Sequence, residues 1–388
     1  MSNYALGVRD LRLLAVLVLV SAVACSQAAP AAKASPTTRP TATAVATPSA
    51  EPTSGPASAT VSFKQPEVVA TGLNTPWAVA FGNDGTIWIT ERTGSVRVLK
   101  DGQLQPDPAL QLNVSQAPGY ESGLLGIALK LPKVYLYYTY ASGGGKVNRV
   151  SEFTAEGVQL HGERVVLDGI PGGACCHFGG RLSIGPDGSL YAGVGEGQVP
   201  SRAAQPAGRN GRVLKLDLNG GSSTYAFGLR NPEGLAWAPD GSLWVTDNGP
   251  TGEFGIPTGH DEVDHLQPGG NYGWPAFAGN TPTGAAGAPN PIPPVIESGS
   301  STWSPSGATF YSPHPKTEEP TLYFAALRGQ AVFRLYNGQL QTVLQGFGRI
   351  RDVEVDPADN CLYALTSNRD GRGSPQQGDD KLIKLCPA

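Results

Sequence analysis

The chain has 388 residues, a formal net charge of −4 and only 15% charged residues, so it lacks the cationic surplus that marks a nucleic-acid binder. Its 51 glycines and 34 prolines disfavour long helices and favour a turn-rich β architecture.

Residues 1–24 have the profile of a signal peptide. Arg9 and Arg12 flank the start of a short apolar run, LLAVLVLVSAVA, which ends in small residues and is too short for a good membrane span. The stretch AVAC reads as a bacterial lipobox, making Cys25 the lipidated first residue of an exported chain held at the outer face of the cytoplasmic membrane. The plainer reading is a secretory peptide with an incidental cysteine. Residues 25–60 are nearly all Ala, Pro, Thr and Ser, have little to bury, and read as an extended tether. Residues 61–388, about 330 in number, suffice for a large core in one domain or two.

Within 61–388 one unit recurs six times: an alternating strand, a turn built from Pro, Asp or Gly, and a second strand rich in aromatics. The copies are WAVAFGNDGTIWITE (77–91), GLLGIALKLPKVYLYYTY (123–140), GRLSIGPDGSLYAGVGE (180–196), GLAWAPDGSLWVTDN (234–248), GATFYSPHPKTEEPTLYFAAL (307–327) and RDVEVDPADNCLYALT (351–366). Each is followed by a further short strand signal, from SVRVLK after the first to KLIKL after the last. Period-two patterning across such turns predicts antiparallel hairpins. Six hairpin-rich units predict an all-β, six-bladed β-propeller of four-stranded antiparallel blades, in which radial closure hides the sheet edges. VSFKQPEVVATGL (61–73) is expected to supply the outer strand of the last blade. A β-sandwich with long loops is the alternative, but it explains neither the sixfold recurrence nor the repeated turn.

Four cysteines remain in the head: Cys175, Cys176, Cys361 and Cys386. Cys361 and Cys386 lie on apolar segments near the chain end, where neighbouring strands would bring them into a disulfide. Cys175 and Cys176 are then either a vicinal disulfide or two thiols.

Loops at one end of a propeller converge on its axis, so isolated polar residues from several repeats can share a pocket. His177 precedes the third repeat in CHFGGR, and its neutral imidazole is suited to accepting a proton. Glu196 closes the same hairpin and would orient that imidazole. Arg230 and Asn231 hold the corresponding station before the fourth repeat; Arg349 and Arg351 lie two apart at the sixth, and Arg328 lies in the fifth. Arginines at several blade entries predict a pocket for a small polyanion, most naturally a polycarboxylate. Taken singly, His177 is a structural hydrogen-bond partner, Glu196 a solvated charge and Asn231 a turn former. DNGP (247–250) and DEVDHLQPGGNYGWP (261–275) combine carboxylates with exposed carbonyls, a donor set suited to Ca²⁺ but without EF-hand spacing. No P-loop, G-x-S-x-G or dinucleotide fingerprint is present.

Taken in order, ESGLLGIAL, HFGGRLSIGPDGSLY, FGLRNPEGLAWAPDGSLWVTDNGP, DEVDHLQPGGNYGWP, SPSGATFY, ALRGQ and GRIRDVEVDP resemble the pyrroloquinoline quinone (PQQ)-dependent sugar dehydrogenases, the soluble glucose, aldose-sugar and sorbosone dehydrogenase group. The resemblance implies a six-bladed propeller holding PQQ and Ca²⁺ in a central pocket. It implies oxidation of the anomeric hydroxyl of an aldose to a lactone, with electrons passed to an external quinone or cytochrome. On that basis His177 is the general base, Arg230 faces the reactive quinone carbonyl, and Asn231, Asn248, Arg328, Arg349 and Arg351 surround the cofactor. Gly249 and Pro250 are implied carbonyl ligands of the catalytic Ca²⁺, and Glu262 with the Tyr272 carbonyl a second, structural calcium site.

Three departures stand out. Glu196 replaces the aspartate usual behind the histidine. Asn248 stands where the glucose enzyme has glutamine. On the sugar side, Cys176 and Glu121 replace an aspartate and a glutamine, which puts glucose in doubt more than oxidation. A glycan- or protein-binding propeller without catalysis and a metal-dependent lactone hydrolase are the competing readings.

Overall fold

The computed structural model describes residues 61–388 except 206, 253 and 254; the signal-peptide, lipobox and tether readings, Cys25 included, lie outside the described residues. The repeats fold as the spacing predicts, and each Asp of the recurrent turn has a definite task. Asp84, Asp187, Asp240 and Asp359 each accept the backbone N–H two residues on, at 3.2, 3.0, 2.9 and 2.9 Å. This local bond closes the hairpin while the alternating strands bury one face.

Six mainly antiparallel blade sheets result, with a separate two-stranded sheet of Phe277–Ala278 and Thr281–Pro282. Their first strands are Pro76–Phe81, Leu124–Lys130, Leu182–Ile184, Pro232–Trp237, Pro305–Tyr311 and Ile350–Asp356, and each touches the first strand of the next blade around a closed ring. The second strands, such as Leu190–Val194 and Leu243–Asp247, pair outside them. The architecture is an all-β six-bladed propeller.

Two blades depart from the expected four strands. In blade three, Gly270–Asn271 joins as a fifth strand, parallel to Ser222–Phe227; in blade one, Leu110–Gln111 pairs with Ser95–Lys100 beside Gln103–Leu104. Both additions come from the inserted segments between repeats. Among the described residues the only helix is Ser201–Ala204, and none is long and apolar enough to cross a membrane.

Blade six is completed from the other end of the chain. Glu67–Ala70 pairs with Leu382–Leu385, as expected for 61–73, with Val68 opposite Ile383. Lys64 N–H donates to the Cys386 carbonyl at 2.9 Å, and the Cys361–Cys386 disulfide ties this edge to the second strand.

At the axis, charged side chains close the ring. Asp352 Oδ2 accepts from Val79 N–H at 2.9 Å and from Arg181 Nη1 at 3.0 Å, while Arg181 Nε donates to the Glu233 carbonyl at 2.7 Å. The Trp77 ring lies under both Arg181 and Arg351, at 4.5 and 5.7 Å from their guanidinium carbons. These bonds join blades one, three, four and six.

Candidate active site

In an antiparallel blade the start of the first strand and the end of the second lie at the same end. Glu121, His177, Arg230 and Arg349 precede first strands; Glu196, Asn248 and Arg328 follow second strands. All therefore gather at the end opposite the Asp-Gly hairpin turns. There they meet around a cavity of about 540 Å³ whose wall includes Glu121, Cys176, His177, Arg230, Asn231, Asn248, Gly249, Arg328, Arg349 and Arg351.

His177 is held through both ring nitrogens. Its Nδ1 contacts Glu196 Oε1, and Glu196 is wholly buried. Its Nε2 lies 2.9 Å from Arg230 Nη2. A guanidinium nitrogen can only donate, so Nε2 is the acceptor and Nδ1–H points to the carboxylate. The two partners thus fix one tautomer, with the Nε2 lone pair engaged by Arg230 beside the cavity that both residues line. Backbone geometry adds to this: His177 has φ of 60°, a left-handed conformation that neighbours must hold in place. Gly179 makes room for the loop, since a Cβ there would lie 2.5 Å from Gly195 N and 2.6 Å from the Gly193 carbonyl.

The motif FGLRNPEG explains itself in the same way. Asp247, at the end of the second strand, accepts the N–H groups of Arg230 and Asn231 at 2.7 and 2.6 Å, fixing the approach to the first strand. Burial pushes the Asp247 carboxyl up to about 7, and those N–H groups pull against the shift. Asn231 Oδ1 accepts Gly179 N–H at 2.9 Å, and its amide donates to Glu233 Oε1 at 3.0 Å. Glu233 Oε2 holds Arg351, and Asp370 holds Arg349 at 2.8 Å. Trp274, from NYGWP, lies 5.5 Å from the Arg230 guanidinium carbon. Arg328 is exposed and makes no ion pair among the described residues.

Asn248 donates to the Pro305 carbonyl at 2.9 Å, and its own carbonyl accepts Arg230 Nη1 at 2.9 Å. The next N–H, of Gly249, is drawn to Asp261 Oδ1 at 2.8 Å, away from the cavity that Gly249 lines. The Pro250 carbonyl accepts Gly259 N–H at 2.9 Å and keeps one lone pair. Glu262 and Tyr272 lie outside the cavity wall. Glu262 accepts Gly279 N–H, and the Tyr272 hydroxyl donates to the His265 carbonyl at 2.9 Å. Burial, with the repulsion of Asp264 and Asp247, raises the Glu262 carboxyl well above its ordinary range. Both oxygens of Asp264 are buried without a hydrogen-bond partner. Among the described residues no group of three or more His, Cys, Asp or Glu side chains is arranged to hold a metal by itself.

A family model described as Glucose / Sorbosone dehydrogenase matches residues 73–382. The chain belongs to that family. It is 28% identical over 373 residues to aldose sugar dehydrogenase YliI of Escherichia coli, covering 83% of this chain and 92% of the relative. It is 30% identical over 374 residues to an uncharacterised protein of Synechocystis, covering 80% and 87%. Among solved structures, a Thermus thermophilus protein described as an oxidoreductase (glucose dehydrogenase) is 38% identical with a TM-score of 0.73, over 84% of this chain and 100% of the other. The PQQ-bound form of aldose sugar dehydrogenase from Streptomyces coelicolor is 31% identical, also with a TM-score of 0.73, over 84% and 98%.

Two charged wall residues of this glucose/sorbosone dehydrogenase family member, Glu233 and Arg372, do not stand out in the sequence. Glu233 stands two residues beyond Asn231, hence on the same strand face, and that spacing was its signal. Arg372 lies after the second strand of blade six, the station Glu196, Asn248 and Arg328 occupy in their blades. It donates to Glu121 Oε1 at 2.6 Å. Glu121 Oε2 accepts His177 N–H at 2.7 Å, so both carboxylate oxygens have protein partners. Burial pushes the Glu121 carboxyl up, but His177 and Arg372 outweigh it and hold the group at about 2.

Proposed function

We propose that this protein is a PQQ-dependent aldose dehydrogenase that converts an anomeric hydroxyl to a lactone. The observation that carries the reading is the carboxylate-backed imidazole whose Nε2 meets Arg230 beside an arginine-walled cavity. The cavity chemistry fits a tricarboxylic quinone: guanidiniums of Arg230, Arg328, Arg349, Arg351 and Arg372 face the carboxylates of Glu121 and Glu233. Asp370, Glu233 and Glu121 already pair with Arg349, Arg351 and Arg372, so a polyanion would find its clearest counter-charge at exposed Arg328, with the paired guanidiniums beside it. Arg328, Arg349 and Arg351 would hold its carboxylates, with Asn231 and Asn248 at its edge. Gly249 and Pro250 offer hard carbonyl oxygens, which suit Ca²⁺. The crowded carboxylates around Glu262, with the Tyr272 carbonyl, suit a second calcium.

When bound, PQQ supplies the hydride acceptor and Ca²⁺ the polarisation of its carbonyl. The chain's own residues handle the proton. His177 Nε2 accepts it from the C1 hydroxyl once the substrate displaces Arg230 Nη2 from that lone pair, Glu196 stabilises the imidazolium, and Arg230 keeps a cation beside the reacting oxygen. Electrons pass to an external quinone or cytochrome. Export and a lipid anchor at Cys25 would set the head where extracellular sugars and such acceptors meet.

The test is reconstitution of the purified apo-protein with PQQ and Ca²⁺, followed by addition of an aldose. Bleaching of the bound quinone absorbance is the expected result. Absence of spectral binding favours a glycan- or protein-binding propeller, and lactone hydrolysis without PQQ favours a hydrolase; either overturns the proposal.

A further inference from the structure

The loop bearing His177 is held in an unusual way. Cys175 and Cys176 form a disulfide between adjacent residues, immediately before the imidazole. The N–H groups of both cysteines donate to Gln198 Oε1, at 2.8 and 3.1 Å. The following N–H, that of His177, donates to Glu121 Oε2 at 2.7 Å, and Glu121 N–H returns a bond to the Cys175 carbonyl at 2.8 Å. Arg372 then bridges Glu121 and the disulfide, with Nη2 3.4 Å from Cys176 Sγ. Three consecutive backbone N–H groups are thus captured by side chains from two other parts of the ring. They lead into a residue whose backbone is left-handed at φ of 60°.

Such a conformation persists only where the surroundings over-determine it. A covalent ring spanning residues 175 and 176 removes backbone freedom at the two positions that set where His177 begins. The N–H bonds to Gln198 and Glu121 depend on that fixed path. From this geometry we infer that the Cys175–Cys176 disulfide is a positioning element for His177, and that its reduction detunes proton transfer while leaving cofactor binding intact. Arg328, Arg349 and Arg351, which would hold the cofactor's carboxylates, come from blades five and six, whereas the disulfide lies in the loop before blade three; Arg230 and Asn231 meet that loop at His177 and Gly179, beyond the disulfide. The inference rests on the dehydrogenase reading of the site.

The test begins with the apo-protein, reduced by a water-soluble phosphine. The disulfide takes up two electrons and two protons, the S–S bond breaks to two thiols, and the phosphine with water becomes the phosphine oxide. After removal of the phosphine, the protein is loaded with PQQ and Ca²⁺ under anaerobic conditions and compared with untreated protein. Displacement of a reacting group by about 1 Å costs up to about 10²-fold, so reduction should lower kcat about tenfold or more, with PQQ affinity changed less than about twofold. Reoxidation should restore kcat. The Cys175→Ser/Cys176→Ser double variant should match the reduced protein and ignore the phosphine, which removes Cys361–Cys386 as the source. A readout free of turnover is the imidazole NMR spectrum of the ¹⁵N-histidine-labelled apo-protein. The Nδ1–H signal of His177 should shift or broaden on reduction. The inference falls if oxidised and reduced proteins share one kcat and one His177 spectrum, or if the double variant still responds to phosphine. Failure of the oxidised parent to bleach quinone with any aldose would instead sink the dehydrogenase reading, while the NMR comparison would still report on the loop.

Discussion

Replacing Glu196 by glutamine probes the support of the imidazole with little change of shape. The carboxylate is wholly buried against His177 Nδ1, so no water replaces it when its charge is removed. Proton transfer to Nε2 creates an imidazolium whose charge lies about 4 Å from the carboxylate; at an effective dielectric of about 20 the attraction is about 4 kcal/mol. At about 1.4 kcal/mol per decade this corresponds to nearly a thousandfold in rate, within the ~10²–10⁴ typical of general-base catalysis. Glu196→Gln should therefore slow quinone bleaching at saturating aldose by about 10²–10³, read by stopped flow on protein loaded with PQQ and Ca²⁺. Glu196→Asp keeps the charge on a shorter arm and should fall between the two. Bleaching within about threefold of the parent in Glu196→Gln, with PQQ still bound, would refute the assignment of His177 as a carboxylate-assisted base.

Three further outcomes are expected. Arg328→Ala should weaken PQQ binding about tenfold, the value of one charge-assisted contact, with no loss in thermal stability; a fall in Tm with unchanged affinity would contradict it. The Glu121 carboxyl titrates at about 2 in the folded chain against an ordinary 4.5, so its interactions contribute fully above pH 4.5 and fade as pH falls toward 2. Glu121→Gln should accordingly be less stable than the parent by about 1–3 kcal/mol at pH 7, with a smaller gap at pH 3.5; denaturant titrations giving one constant gap would exclude this. In Gly249→Ala the new Cβ would lie 2.1 Å from the Gly259 carbonyl oxygen and 2.5 Å from that of His260. Overpacking there should cost about 1–3 kcal/mol and weaken Ca²⁺ binding, seen as a lower Tm that calcium restores less well than in the parent.

The ring was legible because a two-residue period and an Asp-Gly turn recur locally, where sequence carries most of its signal. The site was legible for a related reason: once each repeat has a first and a second strand, His177, Arg230 and Arg349 must share an end. What escaped depends on contacts between distant segments. The two-residue strand Gly270–Asn271 has no periodicity of its own and is defined only by its partner, Ser222–Phe227. Glu121 was read as facing sugar, and nothing in ESGLL reveals that Arg372 occupies one oxygen and His177 N–H the other. Arg372 itself sits in the glycine-rich loop between Cys361–Thr366 and Leu382–Leu385, where insertions blur the blade pattern.

Closure of the last blade has a consequence for biosynthesis. Glu67–Ala70 precedes its partner Leu382–Leu385 by the whole of the ring, so it is made well before the strand it pairs with. During synthesis the nascent polypeptide cannot finish its circle, and the opening strand waits unpaired while successive blades accumulate bare hydrogen-bonding edges. Ring closure is therefore a late event, in which pairing of Glu67–Ala70 with Leu382–Leu385 converts an aggregation-prone arc into a closed ring.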